Sequence, residues 1–226
     1  MPGPASIDRP LLLGHRGARA VRSIPENSIE SFERALADAC DGFEFDVRLT
    51  ADGVAVVCHD SVYKRLEIAR VHADQLPGLA RLEDVLQRFH ERAFLDIELK
   101  VEGLERIASD LLQKYPPQRG YVVSSFLERV LCTLHEEART VPTGLICETR
   151  EELAKWKQVP CKYVIPHYSL ITEPLLTEFR NAGKVILVWT VNDRKRMIRM
   201  RDLGVDGIIS DKTALLHETF SNPHGG

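Results

Sequence analysis

In Phe43-Glu44-Phe45-Asp46-Val47, two carboxylates alternate with apolar residues. Successive side chains of a strand point to opposite faces, so Glu44 and Asp46 share one face. Two carboxylates so close repel each other unless a proton or a cation sits between them, and a divalent metal with oxygen ligands resolves that conflict. The competing account is a solvated strand face. It is disfavoured because strands in βα units are covered on both sides and read as continuous apolar runs. The device recurs in Leu95-Asp96-Ile97-Glu98-Leu99-Lys100. There Glu98 offers a third carboxylate, and Lys100 offers either a cation for an anionic substrate or a salt bridge to Glu98.

Leu13-Gly14-His15-Arg16-Gly17 ends an apolar run in a His-Arg pair between glycines. The glycines let backbone and ligand approach closely, and the planar guanidinium fork of Arg16 suits phosphate oxygens. His59-Asp60 supplies a second imidazole, and histidine is the usual general acid or base near neutral pH. Each feature alone has a structural explanation. Together they require polar residues at the ends of several different strands, which is how barrel enzymes build their sites.

The elements that must position these residues read as repeated βα units. Apolar, β-branched runs at residues 11–17, 43–49, 94–100, 121–126, 143–147, 163–166, 185–191 and 207–211 are separated by amphipathic helical patterns. Eight such strands predict a (β/α)₈ TIM barrel, with a doubly wound open sheet as the alternative. A ninth run, residues 54–59, follows after only Thr50-Ala51-Asp52-Gly53. A parallel crossover needs about a dozen residues or more, so this run must return as a hairpin extension of the second strand. The return brings His59 back beside Glu44 and Asp46, with Cys58 on the opposite face. Residues 60–81 are the clearest irregular stretch, and the tail after Leu216 is expected to fray.

The whole chain is consistent with one globular domain, residues 1–226, with a core over about 11–216. Hydrophobic residues make up 44% and charged residues 28%, so neither disorder nor a fibrous class is indicated. Thirty Lys and Arg against thirty-three Asp and Glu give a net charge of −3, which argues against a nucleic-acid-wrapping protein. The five cysteines lack C-x-x-C or zinc-like spacing, as expected of reduced thiols. No segment reads as a signal or stable membrane insertion, so a cytoplasmic location is expected. The oligomeric state is not legible.

Taken in order, His15-Arg16-Gly17, Pro25-Glu26-Asn27-Ser28, Glu44-Phe45-Asp46-Val47, Asp52-Gly53, His59-Asp60, Glu98-Leu99-Lys100, Ser124-Ser125-Phe126, Trp189-Thr190-Val191-Asn192 and Gly204-Val205-Asp206-Gly207-Ile208-Ile209-Ser210-Asp211 resemble the glycerophosphodiester phosphodiesterase family. The resemblance spans residues 11 to about 213. It implies a barrel enzyme that hydrolyses small-molecule glycerophosphodiesters to glycerol 3-phosphate and an alcohol, with one divalent cation, Mg²⁺ or Ca²⁺. By position it assigns His15 and His59 as catalytic, Glu44, Asp46 and Glu98 as metal ligands, Arg16 and Lys100 as phosphate-binding, and Trp189 as the aromatic near the substrate. The family carries a larger insertion after the His-Asp motif, so the cap here is expected to be reduced.

Phospholipase D-like action on lysophospholipids would use the same residues, and a non-catalytic phosphodiester-binding barrel is the reading from another class. Among lesser features, Asn27-Ser28-Ile29-Glu30 has the form of a helix start with Asn27 as N-cap. Glu26 is ambiguous. Arg194, Lys195, Arg196, Arg199 and Arg201 are read as a solvated helix face. His167 either lines the site or satisfies a turn.

Overall fold

A computed structural model describes residues 9–221. Barrel strands β1 (Leu11–His15) and β2 (Gly42–Leu49) are joined through α1 (Ile29–Ala37). After an excursion come α2 (Leu82–Phe89), β6 (Phe94–Leu99), α3 (Glu105–Lys114), β7 (Tyr121–Ser125), α4 (Glu128–Glu137) and β8 (Thr143–Cys147). The chain continues through α5 (Arg150–Ala154), β9 (Tyr163–Pro166), α6 (Glu173–Asn181), β10 (Val185–Val188), α7 (Arg194–Asp202), β11 (Gly207–Ser210) and α8 (Thr213–Ser221). All neighbours among these eight strands pair in parallel, in the order β1-β11-β10-β9-β8-β7-β6-β2, and β2 pairs back to β1. That last pairing, Leu13 with Gly42 through His15 with Glu44, closes the barrel and excludes the open sheet.

The hairpin follows from its turn. Thr50 N–H donates to the Val54 carbonyl (3.1 Å), Gly53 adopts φ 77°, and β3 (Ala55–Val57) runs antiparallel to β2 with Val47 opposite Val57. The Cys58 N–H then donates to the Asp46 carbonyl at 3.0 Å. This fixes the chain beside the acidic pair just before His59.

Residues 60–81 are more ordered than the sequence suggests. They form a two-stranded hairpin, β4 (Val62–Tyr63) with β5 (Leu66–Glu67), followed by two 3₁₀ turns. Ile68 and Leu76 pack with Val56 in a satellite apolar cluster, so the small cap is anchored on the hairpin extension. The expectation of fraying after Leu216 is also corrected. Leu216 is buried and α8 continues to Ser221, while residues 222–226 lie outside the described residues.

The core has two parts. Leu13, Val122, Ile146, Ile165, Leu187 and Ile209 fill the barrel lumen. Larger clusters lie between strands and helices, where Phe32, Phe43, Phe45 and Phe89 stack within 4.3–6.0 Å of one another. Phe43, Phe45 and Val47 therefore turn outward from β2 to the helices, while Glu44 and Asp46 point inward. With Asp96 and Glu98 on neighbouring β6 they form a buried group of carboxylates with a large desolvation cost.

The glycines around His15 serve packing, which differs from the expected close approach to a ligand. A side chain at Gly17 (φ 78°) would collide with Ser31, and one at Gly14 would meet the Gly17 carbonyl and Ala35. They seat α1 against the end of β1.

Candidate active site

At the C-terminal end of the barrel, His15, Arg16, Glu44, His59, Glu98, Lys100 and Trp189 line one cavity of about 250 Å³. Asp46, 1% exposed, lies behind the lining, 3.2 Å from Arg16 Nε and 3.3 Å from Lys100 Nζ. One oxygen each of Glu44, Asp46 and Glu98 lies within 4.8 Å of the others. All eight residues singled out in the sequence therefore meet in one place.

The electrostatics of the trio are unbalanced. Burial, then repulsion from Asp46, Glu98 and Asp96, pushes the Glu44 carboxyl well above its ordinary pKa. Burial and repulsion from Asp46 raise Glu98 to about 7, although Lys100 opposes them. Burial also acts on Asp46, but the positive charges of Lys100 and Arg16 and a hydrogen bond from Asn27 outweigh it, so Asp46 falls below its ordinary value. Buried polar atoms normally have partners, yet Glu44 Oε1, Asp46 Oδ1 and Asp96 Oδ2 have no hydrogen bond. Unpartnered oxygens on converging carboxylates fit a hard divalent cation.

Two cations flank the trio. Lys100 Nζ donates to Glu98 Oε1 at 2.6 Å and lies 3.3 Å from Asp46 Oδ1, so the salt bridge anticipated for Lys100 exists inside the cavity. Arg16, at φ 51°, donates its backbone N–H to Glu44 Oε2 (2.9 Å) and Nη1 to Glu26 Oε1 (2.7 Å). Its Nε stands 3.2 Å from Asp46 Oδ2 without hydrogen-bond geometry. Glu26, ambiguous in sequence, thus holds Arg16 and also Arg19.

Both imidazoles have carboxylate partners. His15 Nδ1 is 2.6 Å from Asp211 Oδ1, and Nε2 is 3.8 Å from Glu44 Oε2. Burial works to raise Asp211, but His15 and a hydrogen bond from Asn192 bring it down to about 2. His59 Nδ1 is 2.8 Å from Asp60 Oδ1, and Arg48 donates to the His59 carbonyl. Trp189 donates its indole N–H to the Ile165 carbonyl at 2.9 Å.

Sequence reasoning missed three residues here and misread one. Asp211 and Asp96 were quoted without a role, although Asp96 shares the alternation of Glu98 and Lys100. Glu148, after β8, carries no motif at all. Asn27 is not the N-cap, because Ser28 caps α1 by accepting from Ser31 N–H. Asn27, at φ 56°, instead donates Nδ2–H to Asp46 Oδ2 (2.8 Å) and accepts from Asp46 N–H (3.2 Å). His167 turns to Ser169 and braces Trp189 edge to face at 5.7 Å. On α7, Arg194 pairs with Glu218 and Arg196 with the Tyr168 hydroxyl, as a solvated helix face does.

The model of the glycerophosphoryl diester phosphodiesterase family matches residues 15–77 and 64–215. The chain belongs to this family. It is accordingly an enzyme of the phosphoric diester hydrolase class. A glycerophosphodiester phosphodiesterase of Caldanaerobacter subterraneus is 29% identical over 89% of the enzyme and 93% of that protein, and one of Bacillus altitudinis is 28% identical over 88% and 94%. The crystal structure of the Thermotoga maritima enzyme superposes with a TM-score of 0.80 at 26% identity, covering 92% of this chain and 97% of that one. An Oleispira antarctica phosphodiesterase, solved with its product sn-glycerol-3-phosphate, shares the fold with a TM-score of 0.82 at 22% identity, covering 94% and 97%. No helix among the described residues is long and apolar enough to cross a membrane.

Proposed function

We propose that the enzyme, acting as a single domain, hydrolyses glycerophosphodiesters to glycerol 3-phosphate and an alcohol. Glu44, Asp46 and Glu98 hold one divalent cation, Mg²⁺ or Ca²⁺. The observation that carries this reading is the convergence of three carboxylates, two histidines and two cations on one cavity.

Bound there, the cation supplies Lewis-acid polarisation of a phosphoryl oxygen. Arg16 and Lys100 offset the charge that builds on the phosphoryl oxygens in the transition state. A proton on His15 Nδ1 directed to Asp211 leaves the Nε2 lone pair toward the cavity, so His15 takes the proton of the attacking hydroxyl. That hydroxyl belongs to water or to the substrate's own glycerol, and trapping a cyclic phosphate separates the two routes. His59, its Nδ1 directed to Asp60, returns a proton to the departing alkoxide. Trp189 forms the aromatic wall beside the substrate.

Lysophospholipid hydrolysis is the second reading, favoured by exposed apolar side chains on segments that follow cavity residues in the chain. The large exposed hydrophobics among the described residues are Val62 (49%), Leu66 (36%) and Leu127 (38%). Val62 and Leu66 belong to the cap hairpin just after His59, and Leu127 follows the cavity residue Phe126. The test incubates purified protein with glycerophosphocholine, glycerophosphoethanolamine, glycerophosphoglycerol and a lysophospholipid, each with Mg²⁺, Ca²⁺ or a chelator. Glycerol 3-phosphate should appear only with metal, and activity untouched by chelation would refute the site. The metal arms identify the ion.

A further inference from the structure

The cavity has two electrostatically different walls. Arg16, Lys100 and the carboxylate trio come from the strand ends of β1, β2 and β6. The rest of the lining includes Phe126, Ile146, Ile165 and Trp189 from β7 to β10, with one acidic side chain, Glu148. In the closed strand order β8 lies diametrically opposite β1, so Glu148, one residue past β8, faces His15 across the mouth.

The backbone of Glu148 is fixed, its side chain is exposed, and among the described residues no cation forms an ion pair with it. Its backbone N–H donates to Glu152 Oε2 at 2.7 Å, which fixes the turn entering α5. Lys155 on the residues that follow is committed to Glu128, Lys100 to Glu98 and Asp46, and Arg196 to the Tyr168 hydroxyl. Burial lowers the pKa of nearby His167, against the opposing charge of Glu148, and its Nδ1 is turned to the Ser169 hydroxyl. On the same cavity, Trp189 is locked by its bond to the Ile165 carbonyl and braced edge to face by Phe126 at 5.8 Å, while the other neighbour of the Phe126 ring is Lys100 Nζ at 5.7 Å. A fixed indole plane and an exposed carboxylate without an ion-pair partner on the mouth of one cavity are what attract an ammonium group.

We propose that Glu148, with Trp189, forms a subsite for a cationic alcohol, so that the enzyme prefers glycerophosphodiesters whose leaving group carries an ammonium. A phosphodiester seated against Arg16, Lys100 and the acidic trio extends its alcohol toward this wall. A zwitterionic substrate then meets a positive group at its phosphate and a negative, aromatic one at its cation. The inference rests on the hydrolytic reading above and adds the choice of alcohol.

The experiment compares kcat/KM for glycerophosphocholine and glycerophosphoglycerol, which differ in the charge of the alcohol, in the wild type and in Glu148→Gln, Glu148→Lys and Glu151→Gln. The wild type should favour the choline ester about ten-fold, equivalent to about 1.4 kcal/mol. Glu148→Gln should abolish most of that ratio and Glu148→Lys should invert it. Glu151→Gln, in the first turn of α5 and outside the cavity, should keep it. Equal kcat/KM in the wild type, or a ratio that survives in Glu148→Gln, overturns the subsite while leaving the hydrolytic reading intact. Calorimetric titration of the chelated protein with both esters decides the subsite independently of turnover. Tighter binding of the choline ester, lost in Glu148→Gln, supports it, and equal binding refutes it. Turnover of neither ester would count against the reaction alone.

Discussion

His15 Nδ1 sits 2.6 Å from Asp211 Oδ1, a contact between residues 196 positions apart that joins the first and last barrel strands. Asp211 is itself held by Asn192, whose amide donates to Oδ2 (2.6 Å) and whose carbonyl accepts the Asp211 N–H (2.9 Å). The carboxylate therefore has one orientation, and through it the imidazole does too. Asp211→Asn should lower kcat by about 10² or more, since loss of the tautomer-setting carboxylate is costly in comparable dyads. Metal affinity measured by calorimetry should hardly move, which separates this effect from damage to the trio.

Glu44→Gln and Glu98→Gln should each abolish metal-dependent turnover and yet stabilise the chelated protein. Each removes a carboxyl whose ionised form the folded site disfavours, so the melting temperature without metal at neutral pH should rise by about 2–4 °C per kcal/mol relieved. Calorimetric scans with and without chelator check this. A lower melting temperature in the chelated variants would show that the carboxylates are structural.

The metal-free protein should lose stability as pH rises from about 4 to about 7. Glu98 and Asp96 are raised to about 7 in the folded chain, against about 4 when unfolded. In that window the folded state binds more protons than the unfolded one, so unfolding free energy falls with pH. Bound metal should flatten the slope, and its binding should release protons. Chemical denaturation across pH with Mg²⁺, Ca²⁺ or chelator tests the sign, and Glu98→Gln should reduce the slope.

Asn27→Ala should weaken metal binding about 10- to 100-fold, the usual effect of removing a hydrogen-bond partner of a ligand. Asn27 grips Asp46 by both side chain and backbone, and its left-handed φ favours asparagine over alanine. Turnover at saturating metal should recover part of the loss, whereas Asp46→Ala should recover none.

Much of this site was legible in the sequence because strand periodicity is local. Glu44 with Asp46 and Glu98 with Lys100 each announce a shared face within three residues, and the Thr50–Gly53 turn forces His59 back to them. Asp211, Asn27 and Glu148 were not legible as site residues for different reasons. Asp211 matters only because the barrel closes, which no local pattern encodes. Asn27 mimics a helix cap in sequence, and only its φ distinguishes it from the true cap, Ser28. Glu148 acquires meaning from the residues across the cavity. The tail helix was misjudged because its buried Leu216 and Thr219 pack against distant elements rather than forming a strong periodic stripe.

The pairing of β1 with β11 also sets an order of assembly. During synthesis the carboxylates and both histidines emerge long before Asp211. Until that residue leaves the ribosome and β11 docks, His15 lacks the carboxylate that orients it. The orientation of His15 is thereby tied to closure of the seam, and a chain that stops before Asp211 lacks that contact.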